Sequence, residues 1–309
     1  MHVLSGGAAA AVVQGVQAQF EQSTSSRIEG TFSAVGMMRD KLVGGAPCDV
    51  AILTKPLIEQ LIASGHVVPG SARSLGLVKT GVAVRTGTAH PPVSTRAELH
   101  AAMSAAKGIY FPDPDKATAG IHFMSVLKAL GLDESMRSQF RVFPNGATAM
   151  GEMAKSTERG LIGCTQITEI NYTEGVDLVA VLPAEFELST DYTLGICTRA
   201  QNPQHAQLLA DLLSGPASEA VRRQGGFEFR RYQVFARASG VGAFFEPTHH
   251  AAEHRQFFVQ LFGRIPVVAV HRHQALLVEH HMAGTPHGLQ CGGVKALETK
   301  AKLPGQEGL

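Results

Sequence analysis

Three loops of this sequence have a composition that suits the binding of an anion. Each follows an apolar strand, combines a hydroxyl residue with glycine, and precedes a helix. The free N–H groups at a helix N-terminus carry partial positive charge, so such a loop can bind an anion without Lys or Arg. Any one loop could be only a helix cap. Together they predict an anion site formed by Ser5, Gly6 and Gly7, by Ser33, Ala34 and Gly36, and by Thr118, Ala119 and Gly120.

Motifs of the common catalytic and nucleotide-binding sites are absent from the sequence. It contains no GxxxxGK[ST] phosphate loop, no GxGxxG fingerprint and no GxSxG elbow. His122, which follows the third loop, could transfer a proton or be a partly buried structural histidine. Asp113 and Asp115 could hold a metal ion, but Asp-Pro-Asp is first of all a turn signal. Because no base–nucleophile pair is visible, the sequence favours binding over catalysis and indicates no cofactor or metal.

The cysteines do not form a recognisable metal or redox motif. No CxxC pair occurs, which argues against a zinc ribbon or a dithiol redox site. All of them could be free thiols that behave as small buried hydrophobic residues. Their positions are Cys48, Cys164, Cys197 and Cys291.

The elements that carry the loops alternate between strands and helices. Residues 1–65 read β-α-β-α-β-α, with strands near 3–4, 28–32 and 49–53, which is typical of a parallel sheet. A second series of units follows without sequence repetition. Its strands are predicted at 77–85, 108–111, 140–143, 161–165, 176–182 and 192–197, and its helices at 95–106, 121–130, 203–213 and 217–224.

Composition limits the class of protein. The chain has 309 residues, 44% of them hydrophobic, and a net charge of +1, which argues against a strongly basic nucleic-acid-binding surface. No apolar run reaches the roughly 18 residues of a membrane helix. The N-terminus shows no signal-peptide pattern, so the sequence as written predicts a cytoplasmic protein. A start placed after a real signal, or removal of the signal, would make it periplasmic.

The composition changes near residue 229. Of the 14 histidines, 8 lie beyond residue 248, and helical or strand periodicity becomes poor. The spacings of His250 with His254 and of His271 with His273 could suit zinc, nickel or copper. An out-of-frame extension of a GC-rich gene would give the same pattern. We therefore predict an irregular C-terminal extension over residues 229–309.

Six segments of the sequence form a recognisable series. They are the opening Val3-Leu4-Ser5-Gly6-Gly7-Ala8 and the segments 31–36, 45–52, 65–71, 113–120 and 163–170. In this order they resemble type II periplasmic binding proteins, and more narrowly the molybdate-binding proteins of ABC importers, over about residues 2–227. The resemblance implies an α/β fold of two doubly wound lobes with a ligand cleft between them. It places lobe 1 at 1–80 and 190–228, and lobe 2 at 81–189.

The same resemblance implies roles for individual residues. Ser5 and Ser33 match hydroxyl donors of the first lobe, and Thr118 and Ala119 match a hinge-side loop. The loop that ends at Thr148 matches a backbone donor. Gln166 stands in the segment from which the molybdate binders supply a tyrosine. The expected partners are a small anionic ligand and the permease of an ABC transporter.

Two functions stay open at this point. The first is a solute-binding protein that closes on a molybdate-like oxyanion or a small organic anion through neutral donors. The alternative is a cytoplasmic, cofactor-independent isomerase or tautomerase of a small unsaturated carboxylic acid, with His122 or Cys164 moving the proton. A titratable group within reach of the ligand would favour the enzyme.

Overall fold

The computed structural model describes residues 1–229 and the short strands at 232–234 and 243–245. In the predicted extension over residues 229–309, the histidines beyond residue 248 and Cys291 lie outside these residues. The strands are β1 (His2–Gly6), β2 (Glu29–Ser33), β3 (Val50–Thr54), β4 (Arg73–Arg85), β5 (Gly108–Pro112), β6 (Phe140–Phe143), β7 (Leu161–Gln166), β8 (Val176–Val181), β9 (Ser189–Ile196), β10 (Tyr232–Val234) and β11 (Ala243–Phe245). The α-helices are α1 (Ala10–Thr24), α2 (Val35–Val43), α3 (Lys55–Ala63), α4 (Arg96–Ala105), α5 (Thr118–Ala129), α6 (Gly146–Lys155), α7 (Ile167–Asn171), α8 (Pro203–Ser214) and α9 (Glu219–Gly225).

The predicted α/β architecture of two lobes with a cleft is confirmed. Within the described residues, nine strands form one continuous sheet in the order β2-β1-β3-β9-β4-β7-β5-β6, with β8 on β4. β1 pairs in parallel with β2 and β3 in the first lobe, and β5 pairs in parallel with β6 and β7 in the second. Parallel strands bring their carboxyl ends to one edge, which is where ligands bind in such sheets.

Two antiparallel strands connect the lobes. β4 pairs with β9 through Lys79 and with β7 from Thr80 onward, so one strand belongs to both parts of the sheet. β4 begins at Arg73, four residues before the predicted start at 77. Leu75 is buried, but it stands between Ser74 and Gly76, so the sequence shows no alternation of apolar residues there. A register shift between Ser74 and Gly76 bends β4, and Gly76 has φ +127°.

Each lobe has its own hydrophobic core. The first-lobe cluster joins distant parts of the chain, since Val3 and Ile58 pack in the same cluster as Leu209 of α8. The second lobe contains two clusters, one built around Phe111 and Phe123 and the other around the methionines of α6. The rings of Phe111 and Phe123 pack edge to face with centroids 5.5 Å apart.

Two helices differ from the sequence prediction. α5 begins at Thr118 rather than at Ile121, so the third loop contributes the first helical turn itself. α7, a five-residue helix after β7, was not predicted because it is too short to show periodicity. In the described part of the chain, no helix combines the length and the apolar character needed to cross a membrane.

Two of the cysteines form a buried thiol pair in the first lobe. The Sγ atoms of Cys48 and Cys197 lie 3.4 Å apart and are free, as is Cys164 in the second lobe. The hydrogen bond to Cys48, together with burial, raises the pKa of the Cys197 thiol. A thiol of high pKa is mostly protonated, so its oxidation is expected to be slow.

Prolonged incubation with oxidised glutathione is expected to link Cys48 to Cys197. The disulfide would join positions 149 residues apart and add about 2–4 kcal/mol to the free energy of unfolding. Peptide mass spectrometry should find the crosslinked peptide in the native protein and not in Cys48→Ala. Persistence of both free thiols after full exposure to the oxidant would contradict the expectation.

Candidate functional site

A cleft lies between the lobes at the carboxyl ends of the parallel strands. About 260 Å³ of space in it is free of protein atoms, and part of this space is open to solvent. The first lobe contributes the turn after β1 and the start of α2, and the second contributes the loops after β5 and β6. The lining residues are Gly7, Ser33, Ala34, Val35, Pro112, Ala117, Thr118, Ala119, Asn145, Gly146, Gln166, Glu169 and Tyr192.

The walls of the cleft offer hydrogen-bond donors without a cationic side chain. α2 and α5 begin here, and no side chain caps either N-terminus. Their first N–H groups therefore lack intrahelical and capping partners, although that of Gly36 in α2 donates to the carbonyl oxygen of Lys116. No Lys or Arg occurs among the lining residues that the structure describes. This arrangement attracts negative charge through helix dipoles and backbone donors.

Ser33 is the hydroxyl donor of the first lobe in this cleft. Its side chain is 9% exposed, and its Oγ contacts the sulfur of Met37 at 3.7 Å. A thioether is a weak acceptor, so this contact competes poorly with a charged oxygen. The Ser33 hydroxyl can therefore turn toward an anionic ligand at little cost.

Glu169 brings a carboxyl group into the cleft. The residue is 7% exposed, and its Oε2 accepts a hydrogen bond from the Thr165 hydroxyl at 2.6 Å. Burial raises the pKa of Glu169, although the bonds from Thr165 and from the backbone of Ala147, Gln166 and Gly146 act in the opposite direction. A side chain on Gly7 or on Gly146 would collide with this carboxyl. A larger residue at either position would therefore displace the carboxyl from its place in the cleft.

Tyr192 and Gln166 connect the cleft to the crossing strands. Burial and the negative charge of Glu169 raise the pKa of Tyr192, so its hydroxyl stays protonated and can donate. In the amide orientation that satisfies its neighbours, Gln166 donates to the carbonyl oxygens of Val78 at 3.3 Å and Lys79 at 3.2 Å, and accepts from the Thr190 hydroxyl at 3.3 Å. Gln166 therefore bridges β4 and β9.

The lobes touch across the mouth of the cleft. The backbone N–H of Gly36 in α2 donates to the carbonyl oxygen of Lys116 at 3.3 Å, and the Lys116 Nζ lies 3.3 Å from Asp40 Oδ2. Arg39 and Lys116 lower the pKa of Asp40, which therefore stays ionised at neutral pH. These contacts hold the cleft in a closed form.

The structure brings together six of the eleven binding residues predicted from the sequence. These are Gly7, Ser33, Ala34, Thr118, Ala119 and Gln166. The other five do not line the cleft and have different contacts. Ser5 is fully buried, and its hydroxyl donates to the carbonyl oxygen of Gly6. Gly6 packs near Val35 and Tyr192, and Gly120 packs on the end of β5. The N–H of Gly36 bonds to Lys116, and Thr148 bonds to the Asn145 side chain.

The alternative catalytic candidates lie away from the cleft lining. His122 has its Nε2 2.8 Å from the carbonyl oxygen of Phe186. Burial raises the pKa of Cys164, which keeps its thiol protonated in the second-lobe core. Asp113 accepts from the backbone N–H groups of Asp115 and Lys116, as a turn residue does. No cluster of metal-binding side chains occurs in the described residues.

Sequence reasoning missed Glu169 and Tyr192. The available signal for Glu169 was a carboxylate four residues after Thr165, just beyond a fully buried strand. Tyr192 lies in a mostly buried strand, where an aromatic residue is usually part of the core. The structure instead places the Tyr192 ring where β9 passes behind the cleft.

Comparison with known proteins agrees with this architecture. A curated aconitate isomerase from Pseudomonas sp. is 26% identical over 232 residues, which cover 72% of this chain and 86% of that protein. The periplasmic molybdate-binding protein of Azotobacter vinelandii superposes with a TM-score of 0.62 at 18% identity, covering 74% of this chain and 99% of the other. The substrate-binding protein of an ABC transporter from Agrobacterium tumefaciens superposes with a TM-score of 0.56 at 14% identity, covering 72% of this chain and 77% of the other.

The family model of the bacterial extracellular solute-binding proteins matches residues 1–228, which include both lobes and the whole cleft. The chain belongs to the family of bacterial extracellular solute-binding proteins.

Proposed function

We propose that the cleft binds a small organic anion with carboxylate groups and closes around it. The observation that carries this proposal is the pair of uncapped helix starts, α2 and α5, in a cleft lined without Lys or Arg. Hydrogen bonds to a charged group contribute about 1.5–3 kcal/mol each. A few such donors, held in a closed and dehydrated site, can therefore bind an anion firmly.

The position of Glu169 favours an extended carboxylate over a compact oxyanion. A molybdate-like dianion in this small cleft would lie close to a buried carboxyl, and like charges at short distance in a poorly solvated site repel strongly. An organic acid can direct its carboxylates to the helix starts and leave carbon atoms beside Glu169. The similarity to an aconitate isomerase over most of that protein's length also supports a carboxylic acid as ligand.

We also propose that the protein delivers its ligand to the permease of an ABC-type importer, on the outer side of the cytoplasmic membrane. Its family consists of extracellular solute-binding proteins, and the Agrobacterium tumefaciens neighbour is the binding protein of such a transporter. Opening and closing of two lobes about strands β4 and β9 suits capture and release.

Removal of one cleft hydroxyl is expected to weaken ligand binding. Ser33→Ala and Thr118→Ala should each cost about 1–3 kcal/mol of binding free energy, because a buried anion loses a donor. Isothermal titration calorimetry with trans-aconitate measures the change. Ser125→Ala is the matched control, because this hydroxyl on α5 bonds to the carbonyl oxygen of His122 on an exposed face.

A thermal-shift series identifies the ligand class. At 100 times its Kd, a ligand adds about 2.7 kcal/mol of stability. We expect this with cis- or trans-aconitate and a much smaller effect with molybdate, tungstate, sulfate or phosphate. A shift with molybdate and tungstate alone would contradict the organic-anion proposal. Equal affinities for the native protein and both hydroxyl variants would contradict the assignment of the cleft.

A second candidate function is isomerisation of an unsaturated carboxylic acid. The specific observation in its favour is the buried carboxyl of Glu169 among the neutral donors of the cleft. Such a group can move a proton while the donors hold the substrate carboxylates. In this case binding and catalysis would use the same cleft.

A further inference from the structure

Glu169 is the only carboxylic acid among the described residues that line the cleft. Its backbone lies in α7, directly after β7, and its side chain reaches the turn after β1 and the start of α6. It therefore contacts the first lobe through Gly7 and the second lobe through Gly146. A ligand enclosed by both lobes must lie beside this carboxyl.

The Glu169 carboxyl is held in a defined orientation. Thr165 lies four residues earlier, in β7, and its hydroxyl donates to Oε2 of Glu169 at 2.6 Å. The two glycines pack so closely against the carboxyl that a Cβ atom on either one would displace it. Catalytic groups require this kind of support, since their efficiency depends on fixed geometry.

We propose that Glu169 is the base that removes a proton from a carbon atom of a bound unsaturated carboxylic acid and returns it to another carbon. The inference rests on the second candidate function and specifies the reacting group. The substrate class is an acid in which a CH₂ group lies between a carboxylate and a carbon–carbon double bond. The activated C–H bond of such a group is acidic enough for transfer to a carboxylate in a protein site.

The step needs no external reactant. Glu169 takes a proton from the CH₂ group, and the electron pair of that C–H bond forms a new double bond to the adjacent carbon. The former double-bond pair moves to the far carbon, which takes the proton from the Glu169 carboxylic acid. One C–H bond breaks and one forms, the double bond shifts by one position, and the carboxylate is restored.

The surroundings of Glu169 suit this transfer. Burial raises its pKa, which makes its ionised form a stronger base than an exposed glutamate. Charge that develops on the substrate carboxylates meets the N-termini of α2 and α5, which act as preorganised donors. The bond between Gly36 and Lys116 joins the two lobes at the mouth of the cleft.

Formation of the cis isomer measures the step directly. The native protein is incubated with trans-aconitate in D₂O, and proton NMR follows the signals of both isomers. We expect the native protein to form the cis isomer, and deuterium to enter only where the proton on Glu169 exchanges with solvent before its return. Glu169→Gln keeps the shape of the side chain without its basicity, and should lower the isomerisation rate at least about a hundredfold while the Kd changes less than about tenfold.

Two further variants separate catalysis from structure. Glu152→Gln, on the exposed side of α6 where Glu152 pairs with Lys155, should isomerise trans-aconitate at the native rate. Glu169→Asp retains a carboxylate on a shorter side chain and should recover part of the activity lost in Glu169→Gln. If Glu169 only stabilises the loops, Glu169→Gln will weaken binding and lower the melting temperature without a selective loss of isomerisation.

The outcomes are distinguishable. Binding without isomerisation by the native protein would overturn the role of Glu169 and leave the anion-binding proposal intact. Isomerisation by Glu169→Gln at the native rate would overturn it as well.

If neither aconitate isomer binds, the proposal of an organic-anion cleft fails at the binding step, and with it the inference that depends on it. If Glu169→Gln does not fold, isomerisation by Glu169→Asp below one-tenth of the native rate supports the inference, and isomerisation at the native rate overturns it.

Discussion

Gly120→Ala is expected to lower the free energy of unfolding by about 1–3 kcal/mol and to weaken anion binding more than loss of a single hydroxyl. A Cβ atom on Gly120 would overlap the carbonyl oxygens of Asp113 and Pro112, far inside van der Waals contact. Both are backbone atoms, so a rotamer change cannot relieve the overlap. α5 must move away from the end of β5, and Thr118 and Ala119 move with it out of the cleft.

Gly151→Ala is the matched control for this prediction. Gly151 also lies within a helix, but a Cβ atom there has no neighbour within 4 Å. Alanine favours a helix over glycine by about 1 kcal/mol, so this variant should be as stable as the native protein or more so. Urea unfolding and calorimetry with trans-aconitate test both variants. Similar stabilities for Gly120→Ala and Gly151→Ala would contradict the role given to the close approach at β5.

The sequence was sufficient to predict the fold because the strands and the glycine loops obey local rules. Val50 to Thr54 form a buried strand, and a proline at the second position of α3 marks the start of the following helix. The loop at Ser33 and the loop at Thr118 were predicted to converge because parallel strands end at one edge of the sheet. The cleft contains both loops.

Prediction of individual site residues was limited by side-chain direction and by tertiary pairing. Ser5 precedes a glycine turn, as a ligand-binding serine would, but the pleat of β1 directs its side chain into the protein. Thr148 follows a loop that could donate to an anion, yet the Asn145 side chain accepts its N–H. Glu169 can be assigned to the cleft only from the structure, because Gly7 and Gly146, which pack against its carboxyl, are distant from it in sequence.

Arg222→Met is expected to lower the free energy of unfolding by about 3 kcal/mol or more, the largest loss of stability among the variants considered. The Arg222 guanidinium is 4% exposed and donates to the carbonyl oxygens of Leu75, Ser214 and Gly215, each at 2.9 Å. Its Nε also donates to the Ser218 hydroxyl at 3.0 Å. Methionine fills much of the space but leaves these buried acceptors without a donor.

Arg222 stays charged despite its burial. Burial lowers the pKa of Arg222 to about 10, so the guanidinium is still protonated at neutral pH and keeps all its donors. Lysine would retain the charge but could not reach acceptors on both β4 and the α8–α9 turn, so Arg222→Lys should lie between the native protein and Arg222→Met. The bonds tie α9 to β4, the strand shared by both lobes.

Arg223→Met separates this buried network from a general effect of arginine removal. Arg223 is next in sequence, its side chain is half exposed, and it pairs with Glu219 on the helix surface. Loss of an exposed pair costs at most about 1 kcal/mol. Thermal and urea unfolding should therefore place the stability of Arg223→Met close to that of the native protein and the stability of Arg222→Met far below it.

Because Arg222 does not line the cleft, the folded fraction of Arg222→Met should bind trans-aconitate with native affinity. Equal stability losses for the two arginine variants would contradict the buried network.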